Sequence, residues 1–213
     1  MKKLQSSLTN MAVVLTVISV IAGGVLAYIN KVTSGPISEL KEKTLQDGIK
    51  QVVLGTTEGT LDVQSIDTLE SGYIVYTIDK GTAVQGGENG FGGKLDVLVG
   101  FDAEGNIKGY TILATQETPG LGVKAAEWFQ KGNKGDIIGM NPGEKELTVS
   151  KDGGNVDAIT ASTITSRAFL KTVNNAYQAF KSGSVEATTG ASKQAHHGEE
   201  APSEEVENST SNN

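Results

Sequence analysis

The chain has 213 residues and a formal net charge of −7, with no cysteine and only two histidines, His196 and His197, adjacent in a polar tail. This excludes a disulfide framework, thiolate metal ligands, a cysteine nucleophile, and a Ser-His-Asp triad or histidine zinc site in the folded part. Residues 31–181 carry 19 acids and 15 basic residues, close to balance, so no basic footprint for nucleic acid is present.

Residues 11–29, MAVVLTVISVIAGGVLAYI, are uncharged and mostly apolar. A helix crossing a bilayer needs about 20 such residues, whereas the core of a secretory signal has roughly 7–15. A transmembrane helix is the expectation, with cleavage after Val25-Leu26-Ala27 as the competing reading. Lys2 and Lys3 precede the segment. The positive-inside rule therefore places residues 1–10 in the cytoplasm and everything after Asn30 across the membrane.

Ser34-Gly35-Pro36 reads as a helix start, with proline near the first position. Leu40, Leu45, Ile49, Val52 and Val53 then share one apolar helix face, so 30–58 is expected to be a stalk helix. Strands are expected over 71–79 and 94–102, the second alternating Leu95, Val97, Val99 and Phe101 on one face. Residues 102–106 read as a turn and 107–115 as the returning strand of a hairpin. GGENGFGG (86–93) and TPGLG (118–122) are expected as loops or irregular backbone, 124–131 as a short helix and 156–159 as a short strand or approach segment. Phe169, Val173, Ala176, Tyr177 and Phe180 form a helix face ending near Lys181. The tail, 182–213, has six acids, one lysine and few large apolar residues, the composition of an acidic disordered segment. The expected fold class is α+β: one N-terminal transmembrane helix, then a mainly antiparallel sheet with packed helices over 59–181.

The most distinctive stretch is DAITASTITSRAF, 157–169, with five hydroxyls between Thr160 and Ser166. A helix starting near Ser162-Thr163 presents free N–H groups and a positive dipole end, an anion site for which phosphate is a fitting guest. The competing reading is an ordinary N-cap with polar neighbours.

DAITASTITS resembles the flavinylation motif of the FMN-binding domain found in the G subunit of Rnf ion-translocating electron-transport complexes and in the C subunit of sodium-pumping NADH:quinone reductases. Asp157, Thr160, Thr163 and Thr165 match that pattern; Ala161 stands where glycine is usual and Ser162 where alanine is usual. ETPGLG (117–122) and GFGGKLDVLVGFDAEGNIKGYTIL (90–113) are similar to two further family blocks, in the family's order. The compact chain and Asp-led motif are closer to the G subunit than to the quinone-reductase C subunit. The resemblance implies an FMN joined through its phosphate to Thr163, with Asp157 read by a flavin transferase or positioning the loop. It also implies a flavin-side loop of Glu117, Thr118, Gly120, Leu121 and Gly122, with Ser162 as a second hydroxyl beside the acceptor. Lys124 is a candidate to balance phosphate charge, and Leu121 and Trp128 are candidates to contact the ring. The partners implied are the other membrane and peripheral subunits of an Rnf-type complex and a separate flavin transferase using FAD and Mg²⁺. The function implied is electron relay in ferredoxin:NAD⁺ oxidoreduction coupled to Na⁺ or H⁺ translocation, with no independent catalysis by this chain. A non-redox membrane-anchored binding or scaffold module is the alternative from another class.

Overall fold

The computed structural model describes residues 8–188. It begins with one helix, α1 (Leu8–Leu54), which is 47 residues and therefore about 70 Å long. Its apolar first part is long and apolar enough to cross a membrane, and none of that stretch is buried among the described residues. The helix start expected at Ser34–Pro36 is not there: Pro36 lies inside α1, which continues through it. Proline removes one N–H from the helix ladder. Hydroxyls take up neighbouring carbonyls, with Thr33 Oγ1 donating to Ile29 O at 2.8 Å and Ser38 Oγ to Gly35 O at 2.7 Å.

Five strands follow as an antiparallel meander: β1 (Val63–Thr68), β2 (Ile74–Ile78), β3 (Gly81–Asn89), β4 (Lys94–Phe101) and β5 (Ile107–Thr115), in sheet order β1-β2-β3-β4-β5. The hairpin expected around residues 102–106 joins β4 to β5. Asp102 closes its turn by accepting from the backbone of Glu104 and Asn106 and from Asn106 Nδ2, at 3.0, 2.8 and 2.9 Å. Partial burial raises the Asp102 carboxyl, but these hydrogen bonds outweigh it and hold it below the ordinary range.

Two strands depart from expectation. The edge strand β1 is largely exposed and carries little apolar alternation. Residues 86–89, expected as irregular, belong to β3 and pair in register with 94–97 of β4. Glycine is disfavoured in strands, but here it makes room, because a side chain on Gly86 would occupy the ring of Tyr73.

Both faces of the sheet are covered. The end of α1 places Ile49, Val52 and Val53 against Tyr76, Ile78, Ala83 and Leu98. The contact is close because Gly100 and Gly109 oppose each other across β4 and β5 beneath Val52, and a Cβ on Gly100 would strike the Val52 carbonyl. Leu40, expected on the same buried face, is 64 % exposed. Only the last turns of α1 reach the sheet.

The other face holds the main core. Leu95, Val97, Val99 and Phe101 of β4 point there, as their alternation predicts. They meet Phe169, Leu170, Val173, Ala176 and Tyr177 of α3 (Thr163–Thr188). That helix starts where the sequence places it but runs past Lys181, so 182–188 are helical rather than part of an irregular tail. The remainder of the acidic tail lies outside the described residues. Between β5 and α3 runs a long connection that holds one short α-helix, α2 (Ala125–Trp128), within the expected 124–131, and two 3₁₀ turns, Gly122–Lys124 and Ser150–Asp152. Residues 156–159 form no strand; Val156 makes a single parallel bridge to Val149.

Candidate functional site

The site is built at the start of α3. Ser162 N donates to Ile159 O at 3.0 Å, closing a four-residue turn. Ala161, its third residue, has φ +61°, the only positive φ at a non-glycine position among the described residues. A positive φ at that position is what a type II turn demands, and glycine supplies it without strain. This is a physical reason for glycine at position 161, and alanine there costs roughly 1–2 kcal/mol in the left-handed region.

The five hydroxyls divide their roles. Ser166 is fully buried: its Oγ accepts from Ile159 N at 2.9 Å and donates to Ser162 O at 3.0 Å, stapling the turn to the helix. Ser162 and Thr165 are buried at the wall of a cleft, Thr163 is half-buried at its edge, and Thr160 is exposed. The first intrahelical bond runs from Ser166 N to Ser162 O. The amides of Thr163, Ile164 and Thr165 precede it and have no acceptor within the helix.

The cleft has a volume of about 430 Å³ and is bounded by Phe91, Glu117, Thr118, Leu121 and Gly122 on one side and residues 161–165 on the other. Glu117 organises the first side. It is 5 % exposed, and its Oε1 accepts from Phe91 N at 2.7 Å. Gly90 and Gly122 flank the carboxylate so closely that a Cβ on either would collide with it. The glycine turn 90–93 and the ETPGLG loop, far apart in sequence, are thus one packed unit. Phe91, Leu121 and Ile164 are 72 %, 40 % and 52 % exposed around the cleft. Three exposed apolar side chains beside free helix-start amides suit a ligand with a flat apolar body and an anionic end.

An aromatic frame holds the two sides together. Phe169 of α3 stacks on Phe129 at 4.3 Å between ring centroids and meets Tyr110 of β5 edge-on at 4.8 Å. The Tyr110 hydroxyl donates to Ala125 O at 2.6 Å and accepts from Phe129 N at 3.2 Å. Burial pushes the Tyr110 phenol well above its ordinary value, keeping the donating proton in place. Trp128 Nε1 donates to Asp157 O at 2.8 Å, tying α2 to the segment before α3.

Of the residues singled out from sequence, Glu117, Thr118, Leu121, Gly122, Ser162, Thr163 and Thr165 line the one cleft. Gly120, Lys124, Asp157 and Thr160 do not. Asp157 instead accepts from Ser150 Oγ through its Oδ1 at 2.9 Å, and Trp128 packs against the core. Phe91, Ile164 and Lys151 join the site without being expected there from the sequence. The Lys151 Nζ lies 3.3 Å from Thr163 Oγ1 and donates to it. Phe91 stood inside a matching glycine block, which is a usable signal; Lys151 gave none, since its approach depends on the fold of the 147–156 loop.

Residues 90–178 match the FMN-binding domain family. A protein of Acetobacterium woodii, described as the G subunit of a Na(+)-translocating ferredoxin:NAD(+) oxidoreductase complex, is 32 % identical over 197 residues, covering 80 % of this chain and 90 % of the relative. The G subunit of an ion-translocating oxidoreductase complex from Shewanella baltica is 28 % identical over 190 residues, covering 81 % and 89 %. The protein of the same description from Cereibacter sphaeroides is 30 % identical over 175 residues, covering 76 % and 79 %.

Proposed function

Since the chain belongs to the family of G subunits of ion-translocating oxidoreductase complexes and contains an FMN-binding domain, we propose that it is a membrane-anchored electron-relay protein carrying FMN on Thr163 through a phosphoester. The observation that carries this reading is the position of Thr163. It opens α3 at the edge of a cleft whose opposite wall is the ETPGLG loop.

The residues present fit the group. The free amides of α3 and the Lys151 ammonium face the end where a phosphoryl group on Thr163 Oγ1 would lie. A phosphodiester carries one negative charge, matched by that one ammonium. Phe91, Leu121 and Ile164 would hold the apolar faces of the ring, and Glu117 keeps the Phe91 turn in place. FMN supplies the redox chemistry when bound; the chain positions it and sets its surroundings. A covalent tether prevents loss of the cofactor outside the cytoplasm, where Lys2 and Lys3 support placing this domain. Asp157 and Thr160 lie outside the cleft and are assigned to recognition by the flavin transferase. Gly120 and Lys124 belong to the flavin-side loop and its flank. The relatives' descriptions support the role in ferredoxin:NAD⁺ oxidoreduction coupled to ion translocation, alongside other subunits.

Full-length protein coexpressed with a flavin transferase is expected to fluoresce as a flavoprotein band in a denaturing gel. Thr163→Val is expected to abolish that band while the protein still folds. Fluorescence that survives Thr163→Val and vanishes with Ser162→Ala moves the attachment to Ser162. No attached flavin in any competent host favours the scaffold reading.

A further inference from the structure

Ser150, Lys151 and Asp152 are consecutive, and each reaches a different residue of the segment around Thr163. Ser150 Oγ donates to Asp157 Oδ1 at 2.9 Å, Lys151 Nζ to Thr163 Oγ1 at 3.3 Å, and Asp152 takes Arg167 in a two-pronged ion pair at 2.7 Å on each prong. Resting on the function proposed above, we infer that this turn is a clamp that readies Thr163 for modification, with Lys151 as the charge partner of the incoming and attached phosphoryl group.

The turn is held from below. Ser150 N donates to Val156 O at 2.7 Å, and Gly154 N, Asn155 N and Val156 N all return to the backbone of 148–149. Leu147, Val149 and Val156 are buried in the main core. Because the backbone under Lys151 is already fixed by these bonds, pairing has only the lysine side chain left to order.

The assignment of charges is specific. Thr163 and Arg167 are four residues apart and share a face of α3. Arg167 is the cation nearest in sequence to the acceptor, but Asp152 occupies it. Its guanidinium holds the Asp152 carboxyl below the usual range, and the Arg167 value rises in return. Lys151 is left facing Thr163 Oγ1.

The step balances without further reactants beyond the transferase and its substrates. Thr163 Oγ1 forms a bond to the flavin-side phosphorus of FAD. The bond from that phosphorus to the bridging oxygen of the pyrophosphate breaks, and AMP leaves with the electron pair. The Thr163 hydroxyl proton is released, and no oxidation or reduction occurs. Lys151 donates to an oxygen lone pair and so does not compete for the proton that must leave. Once the ester forms, the oxygens on phosphorus are bonded neighbours of Oγ1 and within reach of the same ammonium.

The test uses full-length chain purified without flavin, then incubated with flavin transferase, FAD and Mg²⁺. Attachment is followed by intact mass over time. Removing one charge-assisted hydrogen bond predicts that Lys151→Met slows attachment by about 10- to 100-fold. Lys151→Arg is expected to restore most of the rate, and the unmodified Lys151→Met chain to unfold at the wild-type temperature. With both chains driven to full attachment, the phosphorus-31 resonance of the ester is expected to differ between wild type and Lys151→Met. Wild-type attachment rate in Lys151→Met, or an unchanged resonance, overturns the inference and leaves the function intact. A wild-type chain that never accepts flavin overturns the function, and the inference falls with it.

Discussion

The two parts of α3 obey opposite rules. From Phe169 to Tyr177 the helix is built for packing: Phe169, Leu170, Val173 and Ala176 are almost wholly buried against the sheet. Its first turn instead collects hydroxyls, follows a strained alanine and keeps an exposed isoleucine at an open cleft. The packed part tolerates little change, and its rigidity is what allows the first turn to hold unpaired amides and a strained entry. Ser166 joins the two, since its buried hydroxyl binds both the entry turn and the helix.

That contrast can be broken from either side. Phe169→Ala removes the ring shared by Phe129 and Tyr110, and a loss of about 3–5 kcal/mol in urea unfolding is expected. A loss under about 1 kcal/mol would mean that the aromatic frame does not hold the helix body. Gly122→Ala puts a methyl group against the Glu117 carboxylate, and about 1–3 kcal/mol of destabilisation is expected from overpacking. Hydrogen exchange should then rise at Phe91, whose N–H bonds that carboxylate. Ala161→Gly acts in the other direction. It relieves the left-handed strain and frees the unfolded chain, for a net gain of about 0.5–1 kcal/mol. A destabilised Ala161→Gly would show that the entry turn carries no strain.

The smallest effect is one of pH. Arg167 lowers the folded-state value of Asp152, so their ion pair contributes in full above the ordinary carboxylate value and is lost as pH falls through the lowered one. The acid limb of the stability curve should flatten slightly in Asp152→Asn. Both groups are exposed, so a large change would contradict the assignment.

Legibility in the sequence followed the physics of each element. The β4–β5 hairpin was readable because Leu95, Val97, Val99 and Phe101 alternate and Asp102–Asn106 is turn chemistry. The start of α3 was readable from its hydroxyls. The strand over 86–89 was hidden because its glycines serve a neighbour, Tyr73, that only the folded sheet brings near. The unbroken α1 was hidden because Gly35-Pro36 gives a local stop signal that the flanking helical sequence overrides. In the cleft, ETPGLG and the 161–165 segment were each legible, but the burial of Glu117 and the reach of Lys151 come from long-range packing.

The proposed function comes down to one bond, between Thr163 Oγ1 and phosphorus. Intact-mass measurement of the full-length chain, made in cells competent for the modification, addresses it directly when paired with fragmentation of the peptide that follows Lys151. The expected result is a gain equal to one FMN less one water, localised to Thr163 and missing from Thr163→Val. An unmodified wild-type chain, or a flavin localised to another residue, would contradict it.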